Sequence, residues 1–217
     1  MKKAVSPTQK MLNTWAIILI IWSVYRSYFK TDLPIWIDEF VAKPLIFLVP
    51  IYYYVSKVEK QSFWKAVDFK TKHIGKDVLV GLGIGISLLV ISTIVYLTKA
   101  PLKPIANLSM VGFYVLIAFA SSFSDEILSR GFVLKRLYAE SQNVFQSVFF
   151  SSFLFFFLHI PIIFTNPDIR GVMLIQIMLT DLLLSFGVSL IYLQRKDIII
   201  PIIIHALYNI GIYLLLT

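Results

Sequence analysis

Seven apolar runs, each about 20 residues long, constrain this chain more than any other feature. They cover roughly residues 12–29, 39–56, 77–98, 109–134, 144–165, 171–193 and 198–217. A helix rises ~1.5 Å per residue, so a run of this length matches the ~30 Å hydrocarbon layer of a bilayer. Within that layer backbone polar groups must be paired internally, which a long helical run achieves by itself. Composition agrees: 58% of residues are hydrophobic and 15% charged, and the mean hydropathy is +0.81, more apolar than a soluble domain. No Ser/Gly-rich or Pro-rich linker divides the chain. The expected fold is therefore all-α: one polytopic transmembrane helix bundle over residues 1–217, with about seven spans and six to eight compatible with the runs. The second run is the weakest, because Lys43, Pro44 and Pro50 interrupt it.

Charge orients the bundle. If the N-terminus is cytoplasmic, the segments 1–11, 57–76, 135–143 and 194–197 lie on that side and hold 13 of the 20 basic residues. The opposite side keeps Arg26, Lys30, Lys43, Lys99, Lys103 and Arg170. That asymmetry predicts an integral protein of the cell membrane, N-terminus inside. It also accounts for the net charge of +8 without nucleic acid as a partner. The first run follows Lys2, Lys3 and Lys10 like a signal peptide, yet no small-x-small site follows, so it reads as an uncleaved span. With no cysteine, disulfides, a thiol nucleophile and thiolate metal ligands are all excluded. Residues 61–69 mix Phe63, Trp64 and Phe69 with Lys65 and Asp68, a pattern for a short helix on the membrane surface.

The informative residues are polar groups at membrane depth, which are functional candidates by default. The fourth run holds Asp125, Glu126 and Arg130 among Ser121, Ser122, Ser124 and Ser129; the fifth holds His159; the sixth Thr180 and Asp181; the seventh His205 and Asn209. Glu126 and Arg130 are four apart, so they can pair on one helix face. Asp125 is rotated ~100° away, towards Ser121 and Ser129, and is left as a free carboxylate in need of a partner. His159 shares a face with Phe155, and His205 with Asn209. One acid activating a water, with imidazole and amide donors about a tetrahedral oxyanion, suffices to hydrolyse a peptide bond. Asp181 reads as the partner of a polar group on a neighbouring helix or as a residue near the outer boundary. Pro161 and Pro201 are expected to bend helices near the two histidines. Mid-membrane depth for His159 favours a fifth span starting near Val148, with 140–147 as an interfacial turn.

"DEILSRG", "FFFLH" and "HALYN" together resemble the three ordered motifs of the type II CAAX endopeptidase and bacteriocin-processing family, also called the CPBP or Abi family. The matching positions are Glu126 and Arg130, then Phe155 and His159, then His205 and Asn209, and they place a CAAX-protease-like core at 109–217. The resemblance implies an intramembrane endopeptidase of glutamate type. Asp125 and His159 would activate water, and His205 and Asn209 would stabilise the oxyanion. Glu126, Arg130 and Phe155 would support the site. It implies no cofactor and a peptide or lipidated-protein substrate. Asp125 and His205 both fall toward the inner half of their runs, which suits a cavity open to the cytoplasm.

This sequence departs from the family at Asp125, where the usual residue is Glu, longer by one methylene. Three alternatives follow. A catalytically impaired relative would serve as a bacteriocin self-immunity factor or a membrane scaffold. A transporter would also need intramembrane acids and histidines. A zinc hydrolase would use the two histidines and a carboxylate, although no HExxH helix supports it. The natural substrate and the oligomeric state are not written in the sequence.

Overall fold

The computed structural model describes residues 5–29, 33–97, 108–165 and 171–216. Lys2, Lys3, Lys30, Lys99, Lys103 and Arg170, and the run ends at 98 and 217, lie outside them. Among the described residues there are eight helices and no strand. Helix α1 runs through Pro7–Val24 into a π-helical turn, Tyr25–Phe29. Helix α2 is continuous through Ile35–Ile37, a π segment Asp38–Ala42, Lys43–Tyr53 and a second π segment Tyr54–Glu59. The short α3 is Phe63–Ala66 and α4 is Ile74–Leu97. Helix α5 joins Leu108–Glu126, a π segment Ile127–Leu134 and Lys135–Ser141. Helices α6, α7 and α8 are Val144–Thr165, Gly171–Arg195 and Ile199–Leu216.

A helix therefore forms at each of the seven apolar runs. Four of them are long and apolar enough to cross a membrane: Ile74–Ile94, Ser109–Ser141, Val144–Ile162 and Leu174–Arg195, with Ile199–Leu214 apolar but shorter. Helices α1 and α2 stand outside that set. The reason in α2 is the charge of Asp38, Glu39 and Lys43, which burial inside the bundle accommodates.

Two packed halves hold the site between them. In the first, α1 presents Met11, Trp15, Ile18 and Trp22, spaced one helical turn apart, to Phe47, Ile51 and Val55 of α2 and to Ile127, Leu128 and Phe132 of α5. Trp22 Nε1 donates to the Leu158 carbonyl at 3.1 Å, which ties α6 to this half. In the second, α8 packs along α4 and α5 while α6 lies against α7. Here glycines allow close approach: a Cβ on Gly85 of α4 would sit 2.5 Å from the Leu207 side chain of α8. The outward faces stay apolar, with Leu79, Phe145, Val172 and Leu183 exposed, as a lipid-facing surface requires.

Three local expectations change. The turn between α5 and α6 is only Gln142 and Asn143, because Gln142 ends α5 in the left-handed region (φ 52°) and Asn143 Oδ1 caps α6 from the Gln146 N–H at 2.9 Å. The fifth span thus starts at Val144 rather than near Val148. Pro201 falls in the first turn of α8, where its missing N–H has no helical partner to lose, so of the two prolines expected to bend helices beside the histidines only Pro161 lies inside one. The aromatic segment 61–69 is helical over only four residues. It acts as a clip: the Asp68 carboxylate accepts from Lys135 Nζ and Tyr192 OH, both at 2.7 Å, and its carbonyl accepts from the Ile198 N–H at 3.1 Å.

A Cβ on Gly131 would lie 2.9 Å from Val67 Cβ and 3.1 Å from the Val67 carbonyl oxygen, so the clip fits against α5 only over a glycine. Gly131→Ala should lower stability by about 1–3 kcal/mol, whereas Gly187→Ala, with nothing within 4 Å, should gain about 0.5–1 kcal/mol. Thermal melts in detergent micelles read both. Beside the clip, Asp197 Oδ1 caps α8 at the Ile199 N–H (2.7 Å) while burial pushes its carboxyl above the usual carboxylate range. The folded chain then holds that proton more tightly than the unfolded one, so stability falls as pH rises from about 4. Asp197→Asn, which keeps the cap, should melt higher than the parent at neutral pH and show no gain below pH ~4.

Candidate active site

Helix α5 supplies the first three polar groups, and the π segment starting at Ile127 directly follows the two acids. Wider π turns of this kind recur where a helix must aim side chains at a site. Glu126 and Arg130 pair as their spacing predicts, with Arg130 Nη1 2.8 Å from Glu126 Oε1. The same oxygen accepts from His205 Nδ1 at 2.8 Å. A carboxylate has no proton to give, so Nδ1 carries the hydrogen and Nε2 is left for a water or a substrate. Arg130 continues to α7, where Nη2 donates to Ser185 Oγ at 2.9 Å and to the Ser185 carbonyl at 3.1 Å. Its guanidinium carbon stands 4.6 Å from the Phe155 ring centroid.

Phe155 is the hub of the aromatic side. Its ring centroid lies 4.5 Å from that of His159 and 5.7 Å from that of His205, both edge-on. His159 Nδ1 is 3.1 Å from the Phe155 carbonyl, an acceptor, so this imidazole too carries its hydrogen on Nδ1 and offers Nε2. Asn209 Nδ2 donates to Ser122 Oγ at 3.1 Å. Ser122 is one turn before Glu126 and Asn209 one turn after His205, so α5 and α8 meet through two matched polar pairs. The structure thus brings Glu126, Arg130, Phe155, His159, His205 and Asn209 into one connected region.

Asp125 differs from its expected state. It does face away from Glu126: Ser121 Oγ lies 3.4 Å from Asp125 Oδ2, and Ser129 Oγ hydrogen-bonds the Asp125 carbonyl. It is not a free carboxylate, because Lys43 Nζ of α2 donates to Oδ2 at 2.9 Å. The ammonium also donates to Ser121 Oγ at 2.7 Å and Glu39 Oε2 at 3.1 Å, which uses all three of its protons. Lys43 and Asp125 are 2% and 3% exposed, so each is tolerable at depth only through the other. Among the described residues no hydrogen bond joins Asp125 to His159; the contacts from Lys43 and Ser121 are both to Oδ2, and neither uses Oδ1.

Lys43 is the residue sequence reasoning missed, having been read as an interruption of a span on the far side. A signal was there: Glu39 and Lys43 repeat the i,i+4 spacing of Glu126 and Arg130 in another apolar run. A second buried pair closes the same end of the bundle, with Arg26 Nη1 2.9 Å from Asp38 Oδ2 and Tyr25 OH donating to Asp38 Oδ1 at 2.6 Å. Beside Glu39, a cavity of about 420 Å³ opens between α2 and α5, lined by Phe40, Pro44, Phe119 and Phe123. Asp181 accepts from Tyr208 OH at 3.0 Å and so has the neighbouring-helix partner expected of it. Among the described residues no group of three or more His, Cys, Asp or Glu is placed to hold a metal ion.

Residues 107–211 match the family model for type II CAAX prenyl endopeptidase Rce1-like proteins. This segment is an Rce1-like domain. With the long apolar helices, the match supports an intramembrane protein that carries a domain of the CAAX-protease family. No curated protein and no solved structure matches the chain significantly. The Rce1-like domain takes in most of α5 to α8 and every residue of the three motifs. Glu39 and Lys43 lie outside it, so the partner of Asp125 comes from the half of the chain that the family model leaves unmatched.

The Glu126–Arg130 pair of the Rce1-like domain is buried to 0% and 1% exposure. Arg130→Met should cost about 3–5 kcal/mol by stranding the carboxylate. Adding Glu126→Gln should recover part of that loss, as thermal unfolding in detergent micelles would show.

Proposed function

We propose that the protein is an intramembrane endopeptidase that hydrolyses a peptide bond in a membrane-associated substrate. One observation carries the reading: Glu126 Oε1 accepts from both Arg130 and His205, which draws α5 and α8 together. Phe155 sets the His159 ring against the same cluster. A site so connected holds its groups still, and orientation of the reactants lowers the barrier of such a hydrolysis substantially.

In this proposal a water lies between Asp125 Oδ1 and His159 Nε2. Lys43 on Oδ2 holds that carboxylate in place, and His159 takes the water's proton as its oxygen adds to the scissile carbonyl carbon. In this scheme His205, with a hydrogen on Nε2 as well as Nδ1, and Asn209 donate to the developing oxyanion. The proton then passes to the departing amine. The cavity of about 420 Å³ between α2 and α5, apolar apart from Glu39, suits the approach of an apolar peptide segment or lipidated C-terminus from the bilayer. No metal takes part in this scheme. In this reading the N-terminus lies in the cytoplasm of a cell-membrane protein and the site opens the same way, a topology supported by the basic residues of the N-terminal side.

A second reading has a specific observation behind it. The Asp125 carboxylate is shorter than the family's glutamate and already engaged by Lys43. A carboxylate held back in this way would suit a relative that has kept the fold and lost the reaction, serving as a bacteriocin self-immunity factor or scaffold.

The purified chain in lipid nanodiscs, offered a library of membrane-tethered peptides, should cleave. Asp125→Asn and His159→Ala should each slow cleavage ~10²–10⁴-fold. Cleavage unchanged in both variants would refute the assignment. Asp125→Glu separates the two readings: a large gain marks a weakened site, and no cleavage by parent or variant leaves the non-enzymatic role.

A further inference from the structure

Any hydrolysis inside a bundle must draw its water through protein, and a second polar feature of this fold bears on that supply. On α6 and α7, which pack against each other and against the π segment of α5, hydroxyls are buried in successive turns. Ser147, Ser151 and Ser152 line α6, and Ser185 and Ser189 line α7, all at 1% exposure or less. The row begins at the solvent-exposed α5–α6 turn, where Ser147 Oγ lies 2.8 Å from Ser141 Oγ and donates to the Asn143 carbonyl at 2.7 Å. It ends at the candidate site, where Ser185 Oγ accepts from Arg130 Nη2 at 2.9 Å.

Between those ends the hydroxyls are unsatisfied. Ser151, Ser152 and Ser189 Oγ have no hydrogen-bond partner among the described residues, and neither do Arg130 Nε and Glu126 Oε2. A helical serine ordinarily returns its proton to the carbonyl four residues back, as Ser23 and Ser87 do here at 2.7 and 2.8 Å. Close packing of small residues explains the serines' size but not the orphaned guanidinium nitrogen and carboxylate oxygen, which belong to side chains at 1% and 0% exposure. Buried polar atoms in folded proteins find a protein partner or an ordered water.

The spacing suits water. Ser147 and Ser151 are four residues apart on α6, as are Ser189 and Ser185 on α7, a rise of ~6 Å. One water with a ~2.8 Å hydrogen bond on either side bridges about that distance. Ser151 and Ser189 lie at matching depth, since α6 and α7 run in opposite directions and each serine is about two turns from the same end of the bundle.

We propose that these hydroxyls hold a file of ordered waters running from the α5–α6 turn to Glu126 Oε2, and that the file resupplies the hydrolytic water. The second clause rests on the peptidase reading; the first does not. In each turnover one water adds its oxygen to the scissile carbonyl carbon, the C–N bond breaks, and the water's protons end on the new amine and in solution. The next water of the file then moves up.

X-ray radiolysis of the full chain in lipid nanodiscs tests the file without any substrate, because radicals formed from bound water oxidise the side chains beside it. Val148 and Phe155, each 2% exposed, lie within about one turn of the buried serines on α6, and exposed Phe145 serves as the reference. Val148 and Phe155 should be oxidised in the parent and in Asp125→Asn, and oxidised several-fold less in Ser151→Val and Ser189→Val, with Phe145 unchanged. Unlabelled Val148 and Phe155 in the parent, or equal labelling in the valine variants, would overturn the file. If the valines prevent folding, Ser151→Ala and Ser189→Ala decide by melting temperature: a fall supports bound water, and a rise means the hydroxyls were dry. Should the parent cleave peptide, valine variants that lose the labelling yet cleave at the parental rate would overturn the delivery role alone.

Discussion

A buried charge must meet its counter-charge, and the core of this bundle is organised by that requirement. Lys43 Nζ, Asp125, Glu39 and Ser121 form one contact set; Glu126, Arg130, His205 and Ser185 form the next. Each would be strongly unfavourable if left incomplete at such depth, so the helices that supply the parts have to assemble together. Helix α2 is held to α5 by the first set, and α5 to α7 and α8 by the second. Apolar packing surrounds these ties but does not choose the partners, because side chains and lipid tails are similarly apolar.

The same charge logic shapes the chemistry. In the first set the ammonium is saturated by three acceptors and restrains one oxygen of Asp125. In the second, Glu126 shares an oxygen between a guanidinium and an imidazole, and this orients His205. The two adjacent acids of α5 therefore have separate environments, one fixed by α2 and one by α8. Phe155 links the second set to His159 through its ring, so all three motif segments contribute to one region.

Much of the architecture was legible because the signals are local. The apolar runs predicted the helices, since length and hydropathy belong to each segment alone. The Glu126–Arg130 pair and the turning of Asp125 towards Ser121 and Ser129 followed from helical spacing. Whatever depends on how helices cross was hidden. His205 meets Glu126 across 79 positions, and Lys43 meets Asp125 across 82, with no pattern in either segment naming the other. Lys43 was further disguised by two prolines nearby, which made a charged residue look like the break in a weak span. The start of α6 was misplaced because an Asn143 cap outweighs any demand for symmetric depth, and Pro201 was misread because a proline in a first turn has nothing to bend.

The bond between Lys43 and Asp125 joins the Rce1-like half of the chain to the half outside it. A double-mutant cycle of Lys43→Met and Asp125→Asn, read by reversible thermal unfolding in one detergent, measures that bond directly. The structure predicts that the two losses are far from additive, with a coupling of about 2–3 kcal/mol. Additive effects, with a coupling near zero, would contradict it.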